Sequence, residues 1–101
     1  MTLAPGIELP AAEVARICRR FQVKELSLFG SVARGELRPD SDIDLLVEFL
    51  PGAPIGLFEL WEMGEGLESL LGRRVDLAPK GGLKPLIRLR ILQESRLLYA
   101  A

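Results

Sequence analysis

Residues 29–46 read FGSVARGELRPDSDIDLL, and this stretch decides how the rest of the chain is organised. An apolar run ends at Gly30-Ser31, and a second apolar run begins at Asp42 and Asp44, with a polar connection between the two. If a β-strand begins near Asp42, its alternation places both carboxylates on one face and the apolar residues on the other. Neighbouring carboxylates repel each other, so the pattern indicates a divalent cation, which prefers oxygen ligands.

The Gly30-Ser31 pair stands where the first strand is expected to turn into a short helical segment. Such a turn offers backbone N–H groups to an anion, and Gly30 has no Cβ to keep a phosphate away. Ser31 would donate its N–H and hydroxyl groups, and Arg34, three residues later on the same side, would neutralise phosphate charge. A phosphate site beside a metal site indicates nucleotide chemistry.

A third carboxylate, Asp76, lies in an apolar run that predicts another strand. Aspartate is depleted in strands, and this chain has only four aspartates against ten glutamates. We expect Asp42, Asp44 and Asp76 to be the catalytic, metal-binding residues. Two Mg²⁺ ions held by such acids would contact both the attacking and the leaving oxygen of a phosphoryl displacement. Asp42 and Asp44 would hold the metal that carries the triphosphate, while Asp76 would hold the second metal and orient or deprotonate the incoming hydroxyl.

The three aspartates also have ordinary structural interpretations. Asp42 and Asp44 would then be solvent-facing acids at the start of a strand, and Asp76 would pair with Arg73 or Arg74. The presence of all three acids beside a Gly-Ser turn favours the metal site, because a motif is judged by its context.

The phosphate-binding residues have alternatives as well. Gly30-Ser31 alone would be read as a tight turn with a helix cap, and Arg34 could form a salt bridge with Glu36 or Asp40. Three basic residues further along are interpreted as a solvated helix face rather than as a rim of the nucleotide pocket: Lys80, Lys84 and Arg88.

Length and composition restrict the class of protein. The chain has 101 residues, 49% apolar and 27% charged, which predicts a single globular domain over residues 1–101. A net charge of −1 argues against a broad nucleic-acid-binding surface. No apolar run approaches the roughly 20 residues of a membrane span. The absence of histidine excludes histidine-based catalysis, and the single Cys18, which has no internal partner, favours a reducing, cytoplasmic setting.

The order of elements predicts an α/β (α+β) fold, a small mixed sheet with helices packed mainly on one face. Residues 1–8 are expected to be a loose leader. Strands are predicted over residues 23–29, 43–49, 74–78 and 97–99, and helices over 10–21, 31–35, 55–71 and 84–95. The longest helix is expected to bury Phe58 and a stripe formed by Leu57, Leu60, Trp61, Leu67, Leu70 and Leu71.

The motifs also resemble those of a known family. Gly-Ser-Val-Ala-Arg-Gly at residues 30–35, Ser-Asp-Ile-Asp-Leu at residues 41–45 and the later Asp76 in RRVDLAP resemble the minimal nucleotidyltransferase (MNT) domains of the DNA polymerase β-like superfamily. The resemblance covers most of the chain, from Val23 to the end. It implies transfer of a nucleoside monophosphate, AMP from ATP, with release of pyrophosphate.

The resemblance also implies a partner. Such domains are often paired with a HEPN-domain RNase as a toxin–antitoxin system, in which the MNT protein adenylylates a tyrosine of the toxin or neutralises it by binding. No additional substrate domain is apparent, which favours a protein acceptor. Two alternatives are a non-catalytic antitoxin that keeps the fold and an enzyme that modifies a small molecule.

Overall fold

A four-stranded mixed sheet forms the centre of the protein, and the computed structural model describes all of residues 1–101. The strands are β1 (Thr2–Ala4), β2 (Ile7–Glu8), β3 (Val23–Phe29), β4 (Ile43–Phe49), β5 (Val75–Pro79) and β6 (Arg96–Ala100). The helices are α1 (Ala11–Arg20), α2 (Gly30–Ala33), α3 (Leu57–Leu71) and α4 (Pro85–Glu94), with a short 3₁₀ turn at Lys80–Gly82. The main sheet has the order β5-β4-β3-β6, so β5 and β6 are its edges.

The direction of the strands follows from the length of the connections. The β3 and β4 strands are antiparallel, since the link through α2 is too short for a crossover, and β6 also pairs antiparallel to β3. The longer connection through α3 returns the chain so that β5 lies parallel to β4. The mixed sheet predicted from the sequence is therefore confirmed.

The two faces of the sheet differ because alternate residues point to opposite sides. In β4, Ile43, Leu45 and Val47 are buried in the main core, whereas Asp44 and Glu48 are only half-buried on the other face. Two helices, α1 and α3, cover the core face. On the other face Leu92 of α4 borders part of the sheet, so the helices lie mainly on one face, as predicted.

Helix α1 packs against the core through apolar residues spaced three or four apart, which lie on one side of a helix. Val14, Cys18 and Phe21 are buried, and Ile17 is half-buried against the core. Burial raises the pKa of the Cys18 thiol to about 12. Cys18 therefore packs as a small core residue whose thiolate form is disfavoured.

Helix α3 differs from the prediction in which residues it buries. Met63 and Leu67 are its fully buried residues, with Leu60, Leu70 and Leu71 packed at the margin of the core. Leu57, Phe58 and Trp61, expected to be in the core, are 86%, 65% and 61% exposed. Leu57 and Trp61 border an open groove that is also lined by Val75 and Leu77 of β5, so they lie at the margin of the sheet and not in the core.

The N-terminal residues are more ordered than the expected loose leader. The β1 and β2 strands form an antiparallel hairpin, and Leu3, Ile7 and Leu9 are buried in the main core cluster. Arg96 of β6 also donates a hydrogen bond to the carbonyl oxygen of Leu3, at 3.0 Å. Three apolar side chains at nearly alternate positions explain why this segment packs against the domain, and the expectation is corrected accordingly.

The final segments agree with the sequence in type and order. Helix α4 begins at Pro85, which suits a first helical position because it lacks an N–H to satisfy. Only Ile91 of α4 is buried, and most of its apolar residues face outward. No helix is both long and apolar enough to cross a membrane.

Candidate active site

Asp44 and Asp76 lie side by side on the exposed face of the sheet. They are direct partners in the parallel register of β4 and β5, so their Cα atoms are separated by about one strand spacing, roughly 5 Å. On the other side of Asp44, the antiparallel register places the end of β3 at Phe29. The sheet thus brings Asp76 next to Asp44 from a position 32 residues later in the chain.

Asp42 reaches the same region from the loop that leads into β4. It lies two residues before Asp44, which gives it the same side of the extended chain. Asp42 is exposed, and with Asp40, Arg73 and Arg74 it lines a cleft of about 290 Å³. The three aspartates expected from the sequence therefore lie near the N-terminal ends of β4 and β5, on one face of the sheet.

Gly30 lies directly against Asp44. A Cβ added to Gly30 would overlap the Asp44 carboxylate and would stand 2.9 Å from its Cγ. The φ of Gly30 is +76°, a left-handed conformation that residues with a Cβ rarely adopt. Glycine at this position is therefore required twice, by the backbone of the turn into α2 and by the carboxylate beside it.

None of the four aspartates takes part in a salt bridge or a side-chain hydrogen bond, whereas six glutamates do. Burial raises the pKa of Asp44, and the nearby charges of Asp76 and Asp42 raise it further, while Arg34 opposes the effect. The three carboxylates are therefore close enough to interact electrostatically, and none of them forms a salt bridge with a cationic side chain.

Ser31 and Arg34 continue from Gly30 on α2 and its C-terminal end. Ser31 is half-buried, and its hydroxyl group makes no hydrogen bond within the protein. Arg34 forms salt bridges with Glu36 at 3.3 Å and with Glu94 at 3.2 Å. These hydrogen bonds, first to Glu36 and then to Glu94, raise the pKa of Arg34. Of the two structural partners considered from sequence, Glu36 is found and Asp40 is not.

The residues fit a magnesium site that is completed by substrate. No set of three or more acidic, histidine or cysteine side chains is already gathered as a closed cluster of metal ligands. Mg²⁺ takes one or two carboxylates together with phosphate oxygens and water, so an open set of unpaired aspartates suits it. The free Asp44 carboxylate against a glycine, with Asp42 and Asp76 nearby, would supply the protein ligands.

Some contacts around the site were not expected from the sequence. Glu94 of α4 holds Arg34 from 60 residues away, and Arg73 contacts the loop before Asp42 instead of pairing with Asp76. Further along the same sheet face, Lys80 pairs with Glu48 at 3.2 Å. No local pattern reveals such pairings, because each joins parts of the chain that are distant in sequence.

Comparison with known proteins identifies relatives along nearly the whole chain. Residues 12–98 match the family model described as the nucleotidyltransferase domain. The protein adenylyltransferase MntA of Thermococcus cleftensis is 41% identical over 96 residues, which cover 93% of each chain.

Solved structures share the fold. One described as a candidate minimal nucleotidyltransferase has a TM-score of 0.73 and 42% identity, over 85% of this chain and 86% of that chain. A toxin–antitoxin structure with AMP-PNP has a TM-score of 0.75 at 22% identity, over 92% of this chain and 75% of that one. A complex of a tri-AMPylated Shewanella oneidensis HEPN toxin with an MNT antitoxin has a TM-score of 0.66 at 19% identity, over 90% and 70% of the two chains.

Proposed function

This chain belongs to the nucleotidyltransferase domain family, and from that premise we propose that it transfers AMP from ATP to a tyrosine of a partner HEPN toxin. In this role it would be the antitoxin of a toxin–antitoxin pair and would act in the cytoplasm, the compartment favoured by the free Cys18. The observation that carries the proposal is the pairing of Asp44 with Asp76 on one sheet face, with Gly30 against Asp44.

The proposed donor site follows from the charges on this face. Asp42 and Asp44 would hold the Mg²⁺ that carries the triphosphate, and Asp76 would hold a second Mg²⁺. When bound, these ions would supply positive charge to the phosphate oxygens and to the attacking oxygen. Gly30 leaves room for the phosphates, and the unpaired hydroxyl of Ser31 would donate a hydrogen bond to them.

Arg34 would assist by changing partners. Its guanidinium is engaged by Glu36 and Glu94, but it lies near enough to Asp44 to oppose the rise in the pKa of that carboxyl, which burial and the other aspartates cause. Because Arg34 is largely on the surface, its exchange from a glutamate to a phosphate oxygen requires only a side-chain movement. The expected effect is neutralisation of triphosphate charge.

The proposed acceptor step uses Asp76. A hydroxyl group placed beside Asp76 would be oriented by the carboxylate, which would also accept its proton as the oxygen attacks the α-phosphorus. The bond to the pyrophosphate leaving group then breaks, and AMP remains on the acceptor oxygen. The site is open on the sheet face, so a side chain of another protein can reach it.

The relatives support the protein acceptor. The similar protein of T. cleftensis is named a protein adenylyltransferase, and one chain with the same fold lies in a complex that contains an AMPylated HEPN toxin and its MNT antitoxin. A structure of the same fold was obtained with AMP-PNP, which favours ATP as the donor. Substrates of this chain are inferred from these proteins together with the geometry of its own site.

A rival function is neutralisation by binding alone. The exposed apolar side chains of Leu57, Phe58 and Trp61 favour it, since a contiguous apolar surface is typical of a protein interface. Modification of a small molecule is a third possibility, and it would not require the toxin as acceptor.

The test compares two aspartates in the same segment. Asp44→Asn removes a proposed metal ligand, while Asp40→Asn removes the same charge from the loop without altering the proposed site. We expect Asp44→Asn to reduce transfer by about a hundredfold to a thousandfold, the scale associated with loss of an essential electrostatic group, and Asp40→Asn to stay within about threefold of wild type. Transfer is measured as AMP mass added to a co-produced HEPN protein in the presence of Mg²⁺ and ATP.

The outcomes separate the candidates. Transfer that survives in Asp44→Asn contradicts the assigned site. If Asp44→Asn neutralises the toxin without transferring AMP, the function is binding alone. If the wild type consumes ATP and no AMP mass is added to the HEPN protein, the acceptor is a small molecule. Replacement of the labelled tyrosine of the HEPN protein by phenylalanine should abolish labelling.

A further inference from the structure

The loop that carries Asp42 is anchored near its start, where Leu37 packs against the core, and is exposed over the residues that follow. Residues 34–42 join α2 to β4 without regular structure after the first residues, and Arg38, Pro39 and Asp40 are exposed. Within the loop, the N–H of Ser41 donates to the carbonyl of Arg38 at 3.0 Å, and the N–H of Arg38 donates to Ser41 Oγ at 2.9 Å. Such a small turn does not by itself fix where the next residue, Asp42, lies relative to the sheet.

Arg73 adds a side-chain connection between the turn at residues 38–41 and the segment before β5. Its Nη1 atom lies 3.3 Å from the carbonyl oxygen of Arg38, 3.5 Å from that of Pro39 and 3.3 Å from that of Ser41. Arg73 makes no salt bridge, so these three oxygens are its polar partners. The side chain is half-buried and crosses from the start of β5 to the turn before β4.

The position of Arg73 gives this contact a consequence for the site. Arg73 stands three residues before Asp76, and the neighbouring carbonyl of Arg74 accepts a 2.8 Å hydrogen bond from the N–H of Ile43. The segments that bear Asp42 and Asp76 are thus joined at their entry to the sheet, once by backbone and once by the guanidinium.

We propose that Arg73 is a positioning residue, which holds the turn at residues 38–41 so that Asp42 stays beside Asp44 and Asp76. The metal-binding part of this inference depends on the proposed function, but the restraint on the turn does not. Arginine suits the task because its planar guanidinium holds Nη1 in a fixed orientation and is more weakly hydrated than an ammonium group. A lysine at this position would keep the charge but would place its donor on a more mobile ammonium group.

A purely electrostatic role is the competing explanation. Arg73 and Arg74 both line the cleft that contains Asp40 and Asp42, and either charge would attract these acids. Only Arg73 makes hydrogen bonds to the turn, and the Arg74 side chain makes none. Arg74→Gln is therefore a matched control that removes an equal charge from the same cleft.

The experiment compares Arg73→Gln, Arg73→Lys and Arg74→Gln in the full chain. Amide hydrogen exchange of residues 38–42 is measured without metal, and Mn²⁺ binding in the presence of AMP-PNP is measured by electron paramagnetic resonance. We expect Arg73→Gln to speed exchange of this loop by about tenfold, the scale of a lost hydrogen bond, and to weaken Mn²⁺ binding several-fold. Arg73→Lys should be intermediate, and Arg74→Gln should leave loop exchange unchanged.

Each outcome decides the proposal. Unchanged loop exchange in Arg73→Gln overturns the restraint, and faster exchange with unchanged Mn²⁺ binding overturns its link to the site. Equal losses in Arg73→Gln and Arg74→Gln would show that charge alone acts. If Arg73→Gln does not fold, Arg73→Lys gives the comparison. Absence of transfer by the wild-type protein would defeat the proposed function and leave the exchange result still decisive for the turn.

Discussion

At the scale of single residues, Gly30 shows how two requirements can coincide. From the sequence alone, we interpret Gly30 as a residue that lets a phosphate approach the backbone closely. The structure adds a nearer reason, since the Asp44 carboxylate occupies the space that a Cβ would take. Loss of the glycine would therefore displace a proposed metal ligand as well as strain the turn.

Gly30→Ala is predicted to destabilise the protein and to remove activity. Forcing alanine into the left-handed conformation costs about 1–2 kcal/mol, and the overlap with Asp44 adds to this. Gly52→Ala is the control, because Gly52 has a φ of +80° with nothing within 4 Å of its added Cβ. Urea unfolding and AMP transfer are compared: Gly52→Ala should lose stability and keep activity. Equal activity in the two variants would contradict the proposed role of the contact.

The sequence predicts individual residues better than it predicts their partners. Gly30, Ser31 and the aspartates stand out because their residue types are unusual for strands and turns. The salt bridge from Arg34 to Glu94 is not predictable, because it depends on how α4 folds back over the site. The same is true of Arg73, whose nearest acid in sequence, Asp76, is not its partner.

At the scale of elements, the alternation of apolar and polar residues predicts the bounds of strands more reliably than helical periodicity predicts which face of a helix is buried. The predicted bounds of β3 and β4 coincide with the observed ones, since each alternating run ends at turn-forming residues. In α3, apolar residues occur around much of the helix, so more than one face qualifies as the buried one. The sheet selects the face of Met63 and Leu67, and the sequence alone does not contain that choice.

Two substitutions in α3 test this orientation. Leu67→Ala should lower the free energy of unfolding by about 2–5 kcal/mol, because it removes buried methyl groups and leaves a cavity. Trp61→Ala should change it by less than about 1 kcal/mol, because that side chain is largely exposed. Both values are obtained from urea unfolding followed by circular dichroism. If Trp61→Ala lowers the free energy of unfolding more than Leu67→Ala does, the assigned buried face of α3 is wrong.

At the scale of the whole molecule, the crowded aspartates make folding stability depend on pH. The pKa of Asp44 in the folded protein is raised above its usual 3.8, first by burial and then by Asp76 and Asp42. The folded state therefore binds the Asp44 proton more tightly than the unfolded state does. Its stabilising contribution is complete below about pH 3.8 and is lost as pH rises through the folded pKa.

The prediction concerns metal-free protein in the presence of EDTA. The stability of the wild type relative to Asp44→Asn should fall as pH rises from about 3.8 and then level off, because the variant lacks this titration. Asp40→Asn, which alters the preceding loop, should follow the wild type. Unfolding free energies are measured by urea titration at each pH. A wild type that gains stability relative to Asp44→Asn over this interval would contradict the raised pKa.

The different coverage of the two sheet faces has a consequence for how such a protein can diversify. The hydrophobic core that stabilises the fold lies on the sheet face packed by α1 and α3. The aspartates lie on the opposite face, which is bordered by α4 and the loop before β4. Substitutions of the outward residues of α4 or of the exposed residues of that loop would change this surface and leave the interior packing intact. The surface beside the acids is thus free to vary while the scaffold that positions them stays the same.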